Sequence, residues 1–333
     1  MNLSDVVLSC RVRLARNIDG FSFPSKADKT QTEALTQKIV DAASEFGDLR
    51  HIKMADLQMN ERQHFVEKHL ASRELIVSDS SSLLVNDAEN ISVMICEEDH
   101  LRIQSILPSL DLQKADEMSS AVDNVFSQSL KYAWSQKLGY LTACPTNLGT
   151  GMRASAMLHL TGLLIAKQTD SLFRQIQKLG IAVRGFYGEG SAALGGIFQL
   201  SNQFTLGASE DDIITSLDRI LRRIAEQEMS IRTLLYQKNK TEMEDVIGRS
   251  LGICRHCKRL SYNEFMQHIS NIKLGISLGI ITFIPMQTVD DLLVQCQTAS
   301  LVSRIGNPID KNSENIARAE YLQKNLFDTE KNA

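Results

Sequence analysis

The sequence lacks any long uninterrupted apolar run. Its opening, MNLSDVVLSCRVRLARN, has no apolar core of a secretory leader, and no later stretch is apolar enough to span a bilayer. The chain also lacks an excess of basic residues, because 36 lysines and arginines stand against 40 acids and the formal net charge is −4. The overall charge therefore does not favour binding to nucleic acid or to an acidic membrane. We expect a soluble, cytoplasmic protein.

Cysteine is scarce and irregularly placed. The six cysteines show no repeating spacing, and in a chain without a secretory leader they are expected to be reduced thiols. Cys254 and Cys257 have the spacing of a zinc or redox pair. A zinc site needs four ligands, and no second pair of this kind follows. We interpret the two residues as ordinary helix or loop residues, with a metal or redox pair as the alternative.

The 333 residues are enough for two domains. The first part of the chain mixes short strand patterns with turns and lacks regular βαβ alternation, which predicts an α+β fold with an antiparallel sheet. The first two strands should form a hairpin. The predicted strands cover 82–85, 92–96, 101–107, 182–184 and 197–200, and a helix is predicted around 117–137.

The pattern changes at about residue 208. Ser209 begins a capping box, and apolar residues recur behind it at helical spacing. A second helix start is predicted at Thr241, and residues 316–327 are again amphipathic. We therefore predict a catalytic domain over 1–207 and a mostly helical C-terminal domain over 208–333.

Two charged runs stand out in the first domain. Arg11 and Arg13 alternate in SCRVRLAR, so on a strand both side chains face the same side. In CEEDHLR, Glu97, Glu98 and Asp99 lie between two predicted strands, and crowded acids call for a nearby cation or metal. Each run taken alone is also typical of a solvated surface.

Two glycine-containing loops follow. Residues 144–155, CPTNLGTGMRAS, superficially resemble a phosphate loop, but no lysine follows the glycines, so they are not a Walker A motif. Residues 183–191, VRGFYGEGS, do not form a dinucleotide fingerprint either. Two glycines around one glutamate suggest a loop that delivers a carboxylate, with a plain surface loop as the alternative.

Together and in this order, the four segments resemble the ATP:guanido phosphotransferases, the family of creatine and arginine kinases. The resemblance covers about residues 5–215, continues more weakly into the tail, and points to the bacterial protein-arginine kinases of the McsB type. It implies an antiparallel sheet flanked by helices, with ATP as the phosphoryl donor and Mg²⁺ as cofactor. It also implies that the protein is an enzyme.

The resemblance implies a nucleotide site built from arginines. Arginine donates planar, bidentate hydrogen bonds to phosphate and keeps its charge, which explains how ATP is held without a P-loop. Glu97 and Asp99 are implied to contact Mg²⁺ through water. The implied ATP-binding residues are Arg11, Arg13, His69, Arg102, Arg153 and Arg184.

On the acceptor side, the resemblance implies that Glu98 and Glu189 are catalytic. A guanidinium has a pKa above ~12 and is a poor nucleophile while it is protonated. Two carboxylates can clamp its planar fork, orient one nitrogen and accept the departing proton. Cys144 is implied to support them beside the guanidinium, where a thiolate would be favoured by nearby cations.

The acceptor itself is predicted to be an arginine on a polypeptide. Kinases of small guanidino compounds in this family carry an N-terminal helical domain before the arginine pair, whereas the motif here begins at Ser9, so we expect that domain to be absent. The alternatives are a phosphagen kinase acting on a small guanidino compound, and a non-enzymatic adaptor or pseudokinase that binds a repressor or protease partner.

The resemblance further implies a role in stress response and in marking proteins for degradation. The implied partners are protein substrates carrying arginine, a transcriptional repressor, a zinc-containing activator protein and a Clp unfoldase. A homodimer is implied, without nucleic-acid or membrane partners. One departure concerns the phosphoarginine-binding site of McsB-type tails, because Glu314 and Asn315 replace an Arg-Asp pair before Arg318. The added acid should weaken binding of the anionic phosphoarginine.

Overall fold

The computed structural model of the protein describes residues 3–185, 194–306 and 310–327. Within these ranges, no helix combines the length and the apolar character that crossing a bilayer requires. The described part contains one large sheet, a two-stranded ribbon and helices packed around them.

Strands and helices follow one another without regular alternation. The strands are β1 (Val7–Arg16), β2 (Leu49–Lys53), β3 (Ser82–Asn86), β4 (Ile91–Ile95), β5 (Leu101–Pro108), β6 (Trp134–Ser135), β7 (Gly139–Tyr140), β8 (Met152–His159), β9 (Ile181–Arg184) and β10 (Ile197–Asn202). The helices are α1 (Lys29–Ala43), α2 (Met59–Glu67), α3 (Arg73–Ile76), α4 (Leu112–Ser129), α5 (Thr161–Ile165), α6 (Thr169–Lys178), α7 (Glu210–Lys238), α8 (Lys240–His256), α9 (Tyr262–Ser277), α10 (Met286–Gln295), α11 (Thr298–Ile305) and α12 (Lys311–Phe327).

The large sheet has the strand order β2-β3-β4-β5-β1-β8-β10-β9, and its paired strands are antiparallel. Strand β1 lies near the middle, between β5 and β8. Strand β1 therefore pairs with two strands that come much later in the chain, β5 and β8. The predicted α+β fold, with an antiparallel sheet flanked by helices, is confirmed.

The side chains of β1 alternate between the two faces of the sheet. Cys10, Val12 and Leu14 are buried in the main hydrophobic core. Arg11 and Arg13 occupy the intervening positions and line a cleft on the other face. One strand thus contributes to the core and to the candidate site at once.

Most predicted elements of the first domain are present. Strands β3 and β4 form the predicted hairpin, and β5, β9 and β10 lie at the positions predicted for strands. The helix predicted around 117–137 is α4, but it begins at Leu112 and ends at Ser129. Asp111 caps its start by accepting a hydrogen bond from Lys114 N at 3.0 Å. Its end comes early because residues beyond it pair with distant backbone, as Tyr132 does with Ile18.

The predicted domain boundary between residues 207 and 208 lies at the start of α7. The predicted capping box is present, since the Ser209 side chain accepts a hydrogen bond from Asp212 N. However, the apolar side of α7 belongs to the same core as the sheet. A second core lies among α8, α9, α10 and α12. The helix predicted to start at Thr241 is α8, which begins one residue earlier.

Candidate active site

A cleft of about 930 Å³ lies along β1 and the strands beside it. Its lining brings together residues from the four segments that the sequence singles out. Asp99 lies outside this lining, and Glu189 lies outside the described residues. The predicted site residues that line the cleft are Arg11, Arg13, His69, Glu97, Glu98, Arg102, Cys144, Arg153 and Arg184.

The register of the sheet explains why the arginines converge. Arg13 on β1 lies opposite Arg153 on β8, and directly opposed residues of antiparallel strands point to the same face. Arg102 lies on β5, the other neighbour of β1. Arg184 ends β9, two strands beyond β8. Backbone pairing alone thus gathers the basic side chains on one face of the sheet.

The gathered arginines repel one another. Burial, followed by the positive charges of Arg102, Arg153 and Arg184, lowers the pKa of Arg11 to about 10. Burial and the same kind of repulsion lower the pKa of Arg13 well below its usual value, while Glu97 opposes this shift. Like charges in a partly buried cleft are relieved by a polyanion, so the site is suited to a polyphosphate.

The acidic turn between β4 and β5 holds one of these arginines. Arg102 donates to Glu97 Oε1 at 2.6 Å and to Glu98 Oε2 at 3.2 Å. The Ser72 hydroxyl also donates to Glu97 Oε1, at 2.5 Å. Burial raises the pKa of Glu98, and the positive charge of Arg102 opposes that rise. The Glu98 side chain nevertheless remains 42% exposed, so it can meet an acceptor.

Asp99 belongs to the same turn but points away from the cleft lining. It is fully buried, and its Oδ1 accepts hydrogen bonds from Asn17 Nδ2 at 2.6 Å and from Ala143 N at 2.7 Å. Its Oδ2 is buried without a hydrogen-bond partner among the described residues. Asp99 therefore ties the acidic turn to the end of β1 and to the segment before Cys144.

The loop that contains Cys144 is shaped by backbone contacts. Gly149 has a φ of +102°, and a Cβ there would lie 2.4 Å from Thr205 O, so only glycine fits. The Thr205 hydroxyl donates to Thr146 O at 3.0 Å and to Leu148 O at 2.5 Å. The glycines of this segment thus serve loop packing, and Cys144, partly exposed, is presented at the cleft.

His69 enters the cleft from the end of α2. Burial, together with the positive charge of Arg11, lowers the pKa of His69 to about 4. The ring is therefore neutral at physiological pH, and a neutral ring suits packing against a base or a sugar better than pairing with a phosphate.

The remaining cysteines do not form a metal centre in the described part of the chain. Cys254 is buried in α8, and Cys257 follows the end of this helix. Among the described residues, no three His, Cys, Asp or Glu side chains are arranged to hold a metal ion.

Comparison with known proteins places this cleft in a family. Residues 31–231 match the model of the ATP:guanido phosphotransferase C-terminal catalytic domain. Residues 240–333 match the model of the protein-arginine kinase McsB C-terminal domain. The chain belongs to the protein-arginine kinases of the ATP:guanido phosphotransferase family. The two matched regions meet near the junction of α7 and α8, which agrees with the packing of α7 on the sheet.

Curated relatives carry the name protein-arginine kinase. The protein from Halothermothrix orenii is 42% identical over 325 residues, covering 97% of this chain and 93% of that protein. The Clostridium acetobutylicum protein is 42% identical over 328 residues, with coverages of 97% and 96%. The Bacillus subtilis protein is 39% identical over 328 residues, with coverages of 97% and 90%.

Solved structures show the same architecture. The duplicated taurocyamine kinase from Schistosoma mansoni, with bound transition state analog components, is 27% identical with a TM-score of 0.62, over 74% of this chain and 38% of that chain. A lombricine kinase structure shares the fold at 24% identity and a TM-score of 0.61, over 69% and 68% of the two chains.

Two residues that support the site of this protein-arginine kinase, Asn17 and Ser72, are not among those predicted from the sequence. Asn17 donates to Asp99, and its Oδ1 accepts from His100 N at 2.9 Å. Ser72 holds Glu97 from a separate segment. Asn17 directly follows the arginine run, and a polar residue at the end of a buried strand could have indicated this supporting role. Ser72 carries no such signal, because its partner lies 25 residues later in the chain.

Proposed function

We propose that the protein transfers the γ-phosphoryl group of MgATP to arginine side chains of other proteins. The observation that carries the proposal is the convergence of five arginines beside the exposed carboxylate of Glu98 in one cleft. Arginines in such a cleft bind a triphosphate, and a carboxylate at its edge binds a guanidinium. Membership of the protein-arginine kinases selects a protein-bound arginine as the acceptor.

In this proposal the arginines stabilise the negative charge of the phosphates. Phosphoryl transfer requires little covalent chemistry from the protein, so positioning and charge stabilisation dominate. Arg11, Arg13 and Arg153 neutralise the oxygens of the polyphosphate, and the anion relieves the repulsion among them. Arg102 turns from Glu98 towards the phosphates, which frees Glu98 for the acceptor. Nucleotide binding thereby prepares the acceptor side.

Glu98 then acts on the guanidinium. Its carboxylate accepts hydrogen bonds from the acceptor, aims one nitrogen at the γ-phosphorus and takes the proton that leaves. Glu189 is proposed as the second carboxylate on the family's motif alone, since it lies outside the described residues. Cys144 is proposed to support the guanidinium from the cleft wall.

Magnesium prefers oxygen ligands and keeps several waters, and of the two carboxylates predicted to contact it, Glu97 lines the cleft. Both oxygens of Glu97 already accept hydrogen bonds, from Arg102, Ser72 and the Glu98 amide, so a contact through water suits it better than direct ligation. Asp99 is less well placed, because its side chain is enclosed by protein. Bound magnesium would neutralise charge on the phosphate oxygens.

A direct test separates protein arginine from a small guanidino acceptor. The purified protein is incubated with MgATP and either an arginine-rich protein such as casein or free arginine, and phosphate is mapped by mass spectrometry without acid. We expect phosphoarginine in the protein. Phosphate only on free arginine would favour the phosphagen-kinase alternative, and MgATP binding without any transfer would favour the pseudokinase alternative.

The cellular setting is a finer proposal that rests on family membership. We propose a homodimeric, cytoplasmic kinase of the stress response that marks proteins for a Clp unfoldase. Its further partners in this proposal are a transcriptional repressor and a zinc-containing activator protein.

Feedback by phosphoarginine through the C-terminal helices should be weak in this chain. Arg318 is fully buried, and its guanidinium donates to Cys296 O at 2.8 Å, to Leu260 O at 3.1 Å and to Glu314. An anionic ligand would have to displace Glu314 and would meet its charge. We expect free phosphoarginine to leave the thermal midpoint of the protein unchanged. A ligand that binds the folded protein and is present at about 100 times its Kd would instead raise the free energy of unfolding by about 2.7 kcal/mol. A saturable rise of the midpoint would show that a phosphoarginine site persists.

A further inference from the structure

Helix α2 ends beside the cleft in a conformation that usually requires glycine. His69 N donates to Val66 O at 2.9 Å and Leu70 N donates to Phe65 O at 2.9 Å, the two bonds of a Schellman motif. His69 occupies the left-handed position of this motif with a φ of +60°. Glycine is the usual residue there because a Cβ makes the conformation unfavourable. The strain is retained at a residue whose side chain lines the cleft.

Two residues earlier, Glu67 connects α2 to the C-terminal helices. Its Oε1 accepts a hydrogen bond from Ala299 N at 2.8 Å. Its Oε2 accepts from Ser300 N at 2.7 Å and from the Ser300 hydroxyl at 2.8 Å. These N–H groups belong to the first turn of α11, where the side chain of the preceding Gln297 makes no capping bond. A buried carboxylate from the catalytic domain therefore caps a helix of the C-terminal domain.

We propose that Glu67 is a positioning residue for nucleotide binding: by joining the last turn of α2 to α11, it holds His69 in its strained conformation at the cleft. Glu67 is the final residue of α2, so its anchorage determines where the helix stops and the chain turns. Gln104 holds the other side of this turn by donating to His69 O at 2.8 Å. Docking of α11 thus contributes to nucleotide affinity. This inference rests on the proposed function only in taking the cleft as the ATP site.

A second buried carboxylate accepts hydrogen bonds from the start of a helix in the same manner, but at a distance from the cleft lining. Glu228 of α7 accepts hydrogen bonds from Gly162 N at 2.7 Å and Leu163 N at 2.8 Å, in the first turn of α5. It is fully buried and pairs with Arg232 at 2.6 Å. None of these four residues lines the cleft. Glu228 therefore provides a matched control for Glu67.

The test compares Glu67→Gln with Glu228→Gln in the full chain. MgADP affinity is measured by titration calorimetry, and thermal midpoints are measured by scanning fluorimetry. Initial rates with a protein acceptor give the KM for ATP and kcat. For Glu67→Gln we expect a fall in MgADP affinity of about 2- to 30-fold, with a matching rise in KM for ATP and a smaller change in kcat. For Glu228→Gln we expect a lower thermal midpoint, because the buried Arg232 loses its ion pair with Glu228, and an unchanged MgADP affinity.

An unchanged MgADP affinity in Glu67→Gln would overturn the inference, and so would an equal loss in both variants. Should Glu67→Gln fail to fold, Ser300→Ala replaces it, because this change removes one donor to Glu67 and leaves the backbone bonds of α11. We expect a smaller loss of MgADP affinity in the same direction, and no loss would again overturn the inference. MgADP binding needs no acceptor, so a wild-type protein that binds MgADP but phosphorylates no protein contradicts the proposed function alone.

Discussion

Replacing Glu98 by glutamine is expected to slow phosphoryl transfer to protein arginines by about 10²- to 10⁴-fold, the contribution typical of a positioned general base. The amide keeps the size of the side chain, but it neither carries the charge that orients a guanidinium nor accepts its proton. MgATP affinity should not fall, because the ion pair that the substitution removes, Arg102 to Glu98 at 3.2 Å, is the one that nucleotide binding is proposed to break. Initial rates from acid-free phosphoarginine quantitation, together with calorimetric MgATP affinity, check both expectations.

The matched control is Glu33→Gln, the same substitution on α1. The Glu33 side chain is 68% exposed and lies outside the cleft lining. Its variant should phosphorylate protein at the wild-type rate. If Glu98→Gln transferred phosphate at that same rate, the proposed role of Glu98 as the general base would be wrong.

Replacing Arg13 by methionine is expected to weaken MgATP binding by about 30-fold or more, since losing one partner of a buried charge pair costs about 2–5 kcal/mol. The nucleotide-free protein should become more stable at the same time. Burial and the charges of Arg102, Arg11 and Arg153 lower the pKa of Arg13, which means that its charge is unfavourable in the folded protein. Thermal midpoints measured with and without MgATP, and calorimetric affinities, test the two effects separately.

Arg16 on the same strand is the informative contrast. It is buried, and it donates to Asp123 Oδ2 through Nε at 3.0 Å and Nη2 at 2.8 Å. Its guanidinium also lies 3.6 Å from the ring centre of Tyr140. Arg16→Met leaves the buried carboxylate of Asp123 without its charged partner and with only the hydrogen bond from the Tyr132 hydroxyl, so we expect a loss of stability of about 3–5 kcal/mol. A similar drop in the midpoint of Arg13→Met would show that Arg13 is a structural residue.

Local patterns predicted the elements that local interactions stabilise. The hairpin of β3 and β4 follows from two apolar runs around a turn, and the start of α7 follows from the cap at Ser209. The end of α4 was mispredicted because Tyr132 pairs with Ile18, a contact between segments more than one hundred residues apart. Periodicity contains no information about such a pairing, which competes with the helix only after the sheet has formed.

The site was predictable to the extent that its residues stand in recognisable runs. Asp99 shows the limit, because it belongs to the same acidic run as Glu97 and Glu98, yet its carboxylate faces Asn17 and the Ala143 amide instead of lining the cleft. Glu67 shows another limit, because its partner Ala299 lies 232 residues later in the chain. Neither contact leaves a pattern in the neighbouring residues.

Residue types and their order establish that this chain carries the charged groups of a guanido phosphotransferase. They do not assign the role of each group. Arg11, Arg13 and Arg16 are chemically identical and stand on one strand, yet two face like charges across a cleft and the third is neutralised by Asp123. The reason is that the effect of a charge depends on its burial and on partners within a few ångströms. Both are set by strand register and by helices that come from distant parts of the chain.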